Sequence, residues 1–172
     1  MDIFVPDMYC QSIYKINYEK LKKMKIKCLL FDLDNTIAPY SKLEPDKKIM
    51  DLFNELEKSF KVIIMSNSGK KRLTPFKEKL NVDVAYSSMK PLKKKYKKIL
   101  RLYRFEAREV AMIGDQLITD VFGANRMGMY TILVNPISNI APFMTRFNRR
   151  LEKHIIKHYN KRGILIKGEY YE

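Results

Sequence analysis

Short runs of apolar residues recur along the chain, separated by longer segments in which apolar residues return every three or four positions. The apolar runs lie at 27–33, 61–67, 82–88, 109–115 and 130–136. Runs that are apolar throughout are typical of strands buried on both faces, as in parallel sheets. The pattern therefore predicts a sheet of five parallel strands.

The segments between these runs have the periodicity of helices. It predicts helices at 45–59, at about 70–80, from Pro91 onward and at 119–127. Gly128 then follows as a residue suited to end the last of them. Strands that alternate with helices in this way indicate an α/β fold, a doubly wound sheet of the Rossmann type.

The length of 172 residues suits one domain with a substantial core. No repeat or low-complexity linker divides the chain, so we expect a single domain over 1–172. Its core is predicted at about 26–140. The segments 1–25 and 141–172 are predicted to be basic helical flanks.

Polar residues follow the apolar runs. They are Asp32 and Asp34, then Ser66 and Asn67, then Ser87, Ser88 and Lys90, and finally Gly114 and Asp115. The carboxyl ends of parallel strands meet at one edge of the sheet, where α/β proteins bind their ligands. Four polar clusters at one edge therefore predict a functional site.

The chemistry of these clusters centres on carboxylates. Asp32 and Asp34 are one residue apart and leave an extended chain on the same side, so their charges repel unless something offsets the repulsion. Clustered carboxylates hold hard divalent cations, and Mg²⁺ commonly takes one or two of them together with phosphate oxygens. Lys90 suits a phosphate dianion. We expect Mg²⁺ as the cofactor and a phosphorylated molecule as the substrate.

The same clusters resemble the motifs of the haloacid dehalogenase (HAD) superfamily. DLDNT at 32–36 is similar to the first motif, Ser66 and Asn67 to the second, Lys90 to the third and GDQLITD at 114–120 to the fourth. The flanking stretches, such as FVPDMYCQSIYKINYEKLKK and NPISNIAPFMTRFNRRLEK, resemble the YqeG-type branch of subclass IIIA. That branch is similar to the mitochondrial phosphatidylglycerophosphate phosphatases.

The resemblance implies a role for each matching residue. Asp32 is expected to be the nucleophile that forms an aspartyl-phosphate, and Asp34 the general acid and base. The metal ligands are expected to be Asp32, the backbone carbonyl of Asp34, and Asp115. Asp120 is expected to support the metal or to orient Lys90.

Three further residues are expected to bind the substrate. In this resemblance Ser66 donates to a phosphoryl oxygen, Asn67 lies beside it, and Lys90 neutralises the transferred group. Only 31 residues separate Asp34 from Ser66 and 23 separate Ser66 from Lys90. Neither interval holds the large cap domain that many members of this superfamily have, so the resemblance implies an open site, which suits a large substrate or is covered by a partner.

The net charge of +15 points to an anionic partner, which could be nucleic acid, an anionic membrane surface or an anionic substrate; the alternative is that the lysine-rich helix faces are simply solvated. In the C-terminal flank Phe143, Phe147, Leu151, Ile155 and Tyr159 recur every four residues, with Arg146, Arg149, Arg150, Lys153, Lys157 and Lys161 on the remaining surface. A basic amphipathic helix can lie on an anionic membrane, or its apolar stripe can pack on the domain. The segment 4–24 has a similar mixture of apolar residues and lysines, and the same alternatives apply to it.

Three functions stay open from sequence alone. The first is a phosphatase of phosphatidylglycerophosphate, the expected substrate. The second is a phosphatase of a soluble sugar phosphate or nucleotide, and the third is a binding module for RNA or a ribosome-assembly partner. Nucleic acid is disfavoured because the lysine run at 93–98 contains one aromatic residue, Tyr96, and so offers no stacking platform.

The expected location is the cytoplasm, with peripheral contact to the inner face of the membrane left open. The two cysteines predict a reducing compartment, and the N-terminus lacks the apolar region of a signal peptide. The sequence says nothing about the oligomeric state.

Overall fold

A computed structural model describes residues 2–140 and 143–172 of the chain, with the side chains of 143–146 left aside. The predicted positions of Phe143 and Arg146 on the amphipathic helix therefore lie outside the described side chains. Within this part, a six-stranded parallel sheet forms the centre of the molecule.

The sheet has the strand order β1-β6-β5-β2-β3-β4, and all its strand pairs are parallel. The strands are β1 (Met8–Cys10), β2 (Cys28–Phe31), β3 (Lys61–Met65), β4 (Asp83–Ala85), β5 (Val110–Gly114) and β6 (Tyr130–Val134). The predicted doubly wound α/β fold is confirmed. The predicted strands are β2 to β6, and β1 is an addition at the edge beside β6.

The added strand lies in the segment for which the sequence predicts a helical flank. Its three residues are too few to show periodicity, but all three are buried. Ile13, Ile16 and Leu21, which follow β1, are also buried in the core. The apolar residues of the segment 4–24 therefore pack largely against the domain rather than form an exposed membrane-binding face.

Helices connect the strands. They are α1 (Tyr18–Lys23), α2 (Lys47–Glu57), α3 (Lys70–Leu80), α4 (Lys93–Tyr103), α5 (Phe122–Asn125) and α6 (Phe143–Lys161). At the start of α2 the Asp46 side chain accepts a hydrogen bond from the Ile49 N–H, at 2.9 Å, as an N-cap does. The helix predicted at 119–127 is a π-helical turn, Leu117–Val121, followed by the short α5.

Both faces of the sheet are covered, as the apolar strands predict. Along β2, Leu29 belongs to one buried cluster and Leu30 to another, because successive side chains of a strand point to opposite faces. The first cluster includes Phe53 of α2, and the second includes Tyr96 of α4. The catalytic candidates lie beyond these two layers, at the carboxyl edge of the sheet.

Helix α6 divides into a packed part and an exposed part. Tyr159 is buried in a third apolar cluster with Tyr9 and Leu117. Phe147 and Leu151, nearer the start of the helix, are 52% and 45% exposed. None of the described helices has the length and apolar character needed to cross a bilayer.

Candidate active site

Three buried carboxylates meet at the carboxyl edge of the sheet. Asp32 follows β2 and Asp115 follows β5, and these strands are neighbours with Phe31 in register with Ile113. Asp120 joins them from the π-helical turn. One carboxylate oxygen from each of the three aspartates lies within 4.8 Å of the others, and all three residues are at most 5% exposed.

Lys90 holds two of these carboxylates together. Its Nζ donates hydrogen bonds to Oδ1 of Asp32, at 2.6 Å, and to Oδ1 of Asp120, at 2.7 Å. Burial lowers the pKa of Lys90, but the carboxylates of Asp120 and Asp32 raise that pKa by more, so the ammonium stays charged. Burial raises the pKa of Asp32, and Lys90 opposes that rise.

Asp120 approaches the backbone closely at Gly114. A Cβ atom at this position would lie 2.2 Å from Oδ2 of Asp120. That same oxygen accepts a hydrogen bond from the Gln116 N–H at 3.1 Å. Glycine at the end of β5 therefore makes room for the carboxylate that orients Lys90.

Asp115 is bonded on the opposite side of the cluster. The Thr36 hydroxyl donates to its Oδ1 at 3.1 Å. The guanidinium of Arg149, on α6, donates to Oδ2 of Asp115 and, at 3.1 Å, to its backbone carbonyl. Burial raises the pKa of Asp115 to about 6, although Arg149 lowers it. The C-terminal helix thus contributes directly to the site.

Glu152 is a second buried carboxyl group beside Arg149. Its Oε1 accepts a hydrogen bond from the Ile118 N–H at 3.0 Å, and its Oε2 lies 3.9 Å from the Arg149 guanidinium. Burial raises the pKa of Glu152 to about 7, while the bond from Ile118 acts in the opposite direction. The residue ties α6 to the π-helical turn that carries Asp120.

Asp34 faces a different set of partners. Its Oδ1 accepts a hydrogen bond from Nε of Arg72 at 2.9 Å, and its Oδ2 accepts one from the Ser68 hydroxyl at 2.6 Å. Arg72 also donates to the backbone carbonyls of Lys42 and Pro39. The pair therefore fixes the loop after β2 against α3.

Ser66 and Asn67 lie where β3 ends. Ser66 is buried, and its hydroxyl oxygen accepts a hydrogen bond from the Ser68 N–H at 3.1 Å. The Asn67 side chain donates to the Lys90 carbonyl, at 3.2 Å, and accepts from the Lys90 N–H, at 2.7 Å. In this arrangement Asn67 positions the loop that delivers Lys90.

A cavity of about 450 Å³ opens beside Asp115, between α6 and the segments that follow β5 and β6. Its wall combines apolar side chains, such as Leu117, Leu133 and Leu165, with basic ones. The basic residues are Arg149, Arg150, Lys153 and Lys167. A negatively charged group with an apolar portion fits such a wall.

The predicted residues are thus distributed over two groups. Asp32, Lys90, Asp115 and Asp120 form one cluster, while Asp34, Ser66 and Asn67 contact the loops around it. The sequence places Arg149 on the outer surface of α6, and this is wrong: the side chain is 27% exposed and bonded to Asp115.

Arg72, Ser68 and Glu152 were missed altogether. Their partners lie 34 to 38 residues away in the sequence, as in the pair of Arg72 with Asp34 and that of Glu152 with Ile118. One signal is available in the sequence: Glu152 is the single acidic residue of the segment 143–161, which otherwise carries basic residues. The other contacts have no local signature.

The cluster of three aspartates has the donor chemistry of a magnesium site. All three offer carboxylate oxygens, the hard ligands that Mg²⁺ prefers. Burial raises the pKa of Asp32 and of Asp115, because negative charge is costly in this enclosed place. A bound dication would offset that cost, so the residues present fit the ion.

Comparison with known proteins identifies the kind of site. The family model of the mitochondrial phosphatidylglycerophosphate (PGP) phosphatases matches residues 1–138. A probable phosphatase of Bacillus subtilis, YqeG, is 36% identical over 161 residues, which cover 93% of this chain and 94% of that protein. The Arabidopsis thaliana phosphatidylglycerophosphate phosphatase 1 is 28% identical over 178 residues, 93% of this chain and 49% of that protein.

Solved structures with the same fold include two HAD-type proteins. A predicted HAD-like hydrolase from Porphyromonas gingivalis superposes with a TM-score of 0.55 at 14% identity, over 73% of this chain and 98% of that one. The HAD hydrolase YfnB of Bacillus subtilis, solved with magnesium, superposes with a TM-score of 0.54 at 16% identity, over 74% of this chain and 99% of that one. At these identities the likeness concerns the fold.

Proposed function

The chain belongs to the phosphatidylglycerophosphate phosphatase family of the HAD superfamily and is a HAD-type phosphatase, and from that premise we propose that it hydrolyses phosphatidylglycerophosphate with the help of Mg²⁺. The alternative substrate is a soluble sugar phosphate or nucleotide. We also propose that the reaction proceeds through an aspartyl-phosphate intermediate on Asp32.

The observation that carries the proposal is the bond of Lys90 to both Asp32 and Asp120, with Asp115 completing the cluster. Lys90 favours the ionised form of Asp32, the form that a nucleophile needs. The same ammonium can neutralise charge on a phosphoryl group that approaches Asp32.

The proposed reaction has two steps. A carboxylate oxygen of Asp32 attacks phosphorus, the bond from phosphorus to the ester oxygen breaks, and Asp34 gives its proton to the departing alkoxide. Water then attacks the phosphorus of the aspartyl-phosphate while Asp34 takes up the water proton. The bond between phosphorus and Asp32 breaks, and inorganic phosphate leaves.

Asp34 needs a rearrangement before it can act in this way. Both of its carboxylate oxygens accept hydrogen bonds, one from Arg72 and one from Ser68. A general acid must carry a proton on one of these oxygens, so one contact must open. Since Ser68 can rotate its hydroxyl without moving the loop, we propose that the Ser68 contact is the one that yields.

The metal would be held by Asp32, Asp115 and the backbone carbonyl of Asp34, with Asp120 supporting the cluster and orienting Lys90. When bound, Mg²⁺ supplies positive charge that neutralises phosphate oxygens. Thr36 holds Asp115 at 3.1 Å, so its hydroxyl positions one of the proposed ligands. Ser66 is proposed to bind a phosphoryl oxygen, with Asn67 acting through the loop of Lys90.

The finer choice of substrate rests on the family and on the cavity. Phosphatidylglycerophosphate carries a phosphodiester beyond the phosphate that is removed. The cavity beside Asp115 presents Arg150, Lys153 and Lys167 to such a second negative charge. A substrate of this kind is presented at an anionic membrane, so we propose that the protein works in the cytoplasm at the inner face of that membrane.

The test is a panel of substrates given to the wild type and to Asp32→Asn. We expect phosphatidylglycerophosphate to be hydrolysed in the presence of Mg²⁺ with a higher kcat/KM than glycerol 3-phosphate, a nucleoside monophosphate or an aryl phosphate. Asp32→Asn should lower turnover of every substrate by roughly 10³-fold or more, because the nucleophile is lost.

The control is Asp51→Asn, which alters an exposed aspartate on α2 and should leave turnover unchanged. Persistent turnover in Asp32→Asn would remove the nucleophile from the proposal. A preference for a soluble phosphate would replace the substrate. Salt-sensitive binding of RNA with no turnover of any phosphate would contradict the function as a whole.

A further inference from the structure

Large apolar side chains that are exposed to solvent concentrate at one edge of the molecule. Within the described residues, most of them lie in segments that follow the carboxyl ends of the strands, where the active site is. They are Tyr40, Leu43, Tyr86, Met89, Leu92, Ile137, Ile140, Phe147 and Leu151. We call these nine side chains the apolar rim. Leu43 is 74%, Met89 64% and Ile140 62% exposed.

Hydrogen bonds tie the first part of the rim to Asp34. Arg72 bonds the Asp34 carboxylate and also the carbonyls of Pro39 and Lys42, which flank Tyr40 and precede Leu43. The guanidinium lies over the Tyr40 ring, 5.9 Å from its centroid. Leu43 therefore projects from a loop that is anchored beside the proposed acid.

The second part of the rim flanks Lys90. Met89 immediately precedes Lys90, and Leu92 follows it by two residues. The backbone of Lys90 is held by the Asn67 side chain through two hydrogen bonds. These two apolar side chains are thus fixed beside the residue that bonds Asp32.

The remaining rim residues are tied to the same site from the other direction. Asn35 accepts a hydrogen bond at its carbonyl from the Ile137 N–H, at 2.9 Å, and its side chain donates to the Ile140 carbonyl, also at 2.9 Å. Phe147 and Leu151 are each two residues from Arg149, which bonds Asp115. The segments that carry the rim are therefore anchored by hydrogen bonds to residues of the proposed site.

Basic residues lie among the rim segments. Helices α3 and α4 begin at this edge with Lys70, Lys71 and Lys93, Lys94, and neither has an acidic residue in its first turn. Arg150 and Lys153 add to this charge from α6. Apolar side chains surrounded by lysines are suited to an interface with anionic lipid headgroups.

We propose that the protein docks on an anionic bilayer through its carboxyl edge, with the apolar rim inserted among the lipids and the active site facing the membrane. The inference deepens the proposed function, on which it rests, by naming the surface through which the site would meet a lipid phosphate. It also gives α6 a defined orientation, with Phe147 and Leu151 toward the bilayer and Tyr159 in the core.

The chain contains no tryptophan, so single tryptophans can report on position. Leu43→Trp and Ile140→Trp place a reporter on the rim. Leu102→Trp is the matched control, since Leu102 is 67% exposed but lies near the end of α4, away from the carboxyl edge. With vesicles of phosphatidylglycerol and phosphatidylcholine, we expect a blue shift and quenching by brominated lipid for the two rim reporters only.

A second experiment measures how much the rim contributes to binding. Leu43→Ser, Met89→Ser and Ile140→Ser in one protein should lower partitioning onto these vesicles by about tenfold or more, because full burial of one such side chain is enough for roughly that factor. Met24→Ser with Leu102→Ser alters two exposed apolar residues outside the rim and should leave partitioning unchanged. A cooperative urea-unfolding transition shows that the variants are folded, whether or not the protein is active.

The outcomes separate this inference from the proposed function. Membrane docking through the rim would be overturned by equal signals from the two rim reporters and the Leu102→Trp control, by no vesicle binding of the wild type, or by an equal loss in both serine variants. Vesicle binding lost only in the rim variant, in a protein that hydrolyses no phosphate, would support the docking and overturn the proposed function. Docking through the rim would also be overturned if salt abolished vesicle binding while the rim variant bound as well as the wild type.

Discussion

The two sides of the acidic cluster are built differently. On one side Lys90 bonds both Asp32 and Asp120. These three residues come from the loops and turns that follow β2, β4 and β5, and their side chains are at most 7% exposed. Asp115 is buried as well, but its ionic partner, Arg149, comes from α6 and is 27% exposed. One side is enclosed by the sheet, and the other depends on a helix that lies beyond the residues matched by the family model.

The difference shows which part of the site the common fold determines. The enclosed side holds the proposed nucleophile and the lysine that bonds it. The side of Asp115 also borders the basic cavity, through Arg149 and Glu152. In the proposed function, the reacting groups and the cavity that would bind the rest of the substrate therefore lie largely on different elements.

Among the changes that test this comparison of the two sides, removing Lys90 should produce the largest effect. Lys90→Met leaves two buried carboxylates without their cation, so we expect turnover to fall by about 10²–10³-fold and the free energy of unfolding by about 3–5 kcal/mol. Steady-state kinetics and urea unfolding measure the two losses. Lys97→Met, an exposed site on α4, should change neither. A stable, active Lys90→Met protein would show that the enclosed side is not held by charge.

The contribution of α6 can be tested through Glu152 and the pH dependence of the free energy of unfolding. The pKa of Glu152 is raised from an ordinary 4.5 to about 7, so the folded state prefers the protonated form and loses stability relative to the unfolded chain as pH rises from about 4.5 to about 7. Glu152→Gln removes this loss. In metal-free buffer we expect the variant to gain up to about 3 kcal/mol over the wild type at pH 8 compared with pH 4.

Chemical unfolding at the two pH values measures this gain. Glu78→Gln, at an exposed position on α3, is the matched control and should show no comparable change. If the stability of Glu152→Gln differed from that of the wild type by the same amount at both pH values, Glu152 would not be the group whose titration destabilises the protein as pH rises.

Arg149 should weaken the binding of Mg²⁺. Its guanidinium bonds the Asp115 carboxylate, so a cation that binds there must displace or tolerate it. We expect Arg149→Met to tighten Mg²⁺ binding by about tenfold, the range of one hydrogen bond to a charged group. Calorimetric titration measures the affinity. Arg150→Met, which also lines the cavity, is the control; weaker binding in Arg149→Met would show that the arginine supports the metal instead.

The smallest expected effect is that of pH on the affinity of the wild type for Mg²⁺. Because burial raises the pKa of Asp115 to about 6, this ligand becomes protonated below that pH and ionised above it. We expect the affinity of the wild type for Mg²⁺ to fall several-fold between pH 7 and pH 5.5. An affinity that does not change over this range would remove Asp115 from the ligand set.

The parts of the fold that could be predicted are those with a local pattern. The strands β2 to β6 coincide with the apolar runs. Asp32 and Asp115 directly follow β2 and β5, and Lys90 lies in the loop between β4 and α4. Strand β1 has three residues and depends on pairing with β6, far away in sequence, so no local pattern marks it.

The contacts of Arg72 and Arg149 could not be predicted for a similar reason. Each arginine lies on a helix with other basic residues, and the sequence gives no sign of which one turns inward. Arg149 reaches Asp115 across 34 residues, and Arg72 reaches Asp34 across 38. Such contacts follow from how α3 and α6 pack against the sheet, which is decided by the whole core rather than by the residues nearby.

Gly114 has a consequence for how the chain would tolerate change. Because any side chain there would overlap the Asp120 carboxylate, every substitution should displace the group that orients Lys90. A saturation screen scored by activity would rank this glycine beside Asp32, although it has no group that takes part in the reaction. At this position an invariant residue would mark space that must stay empty.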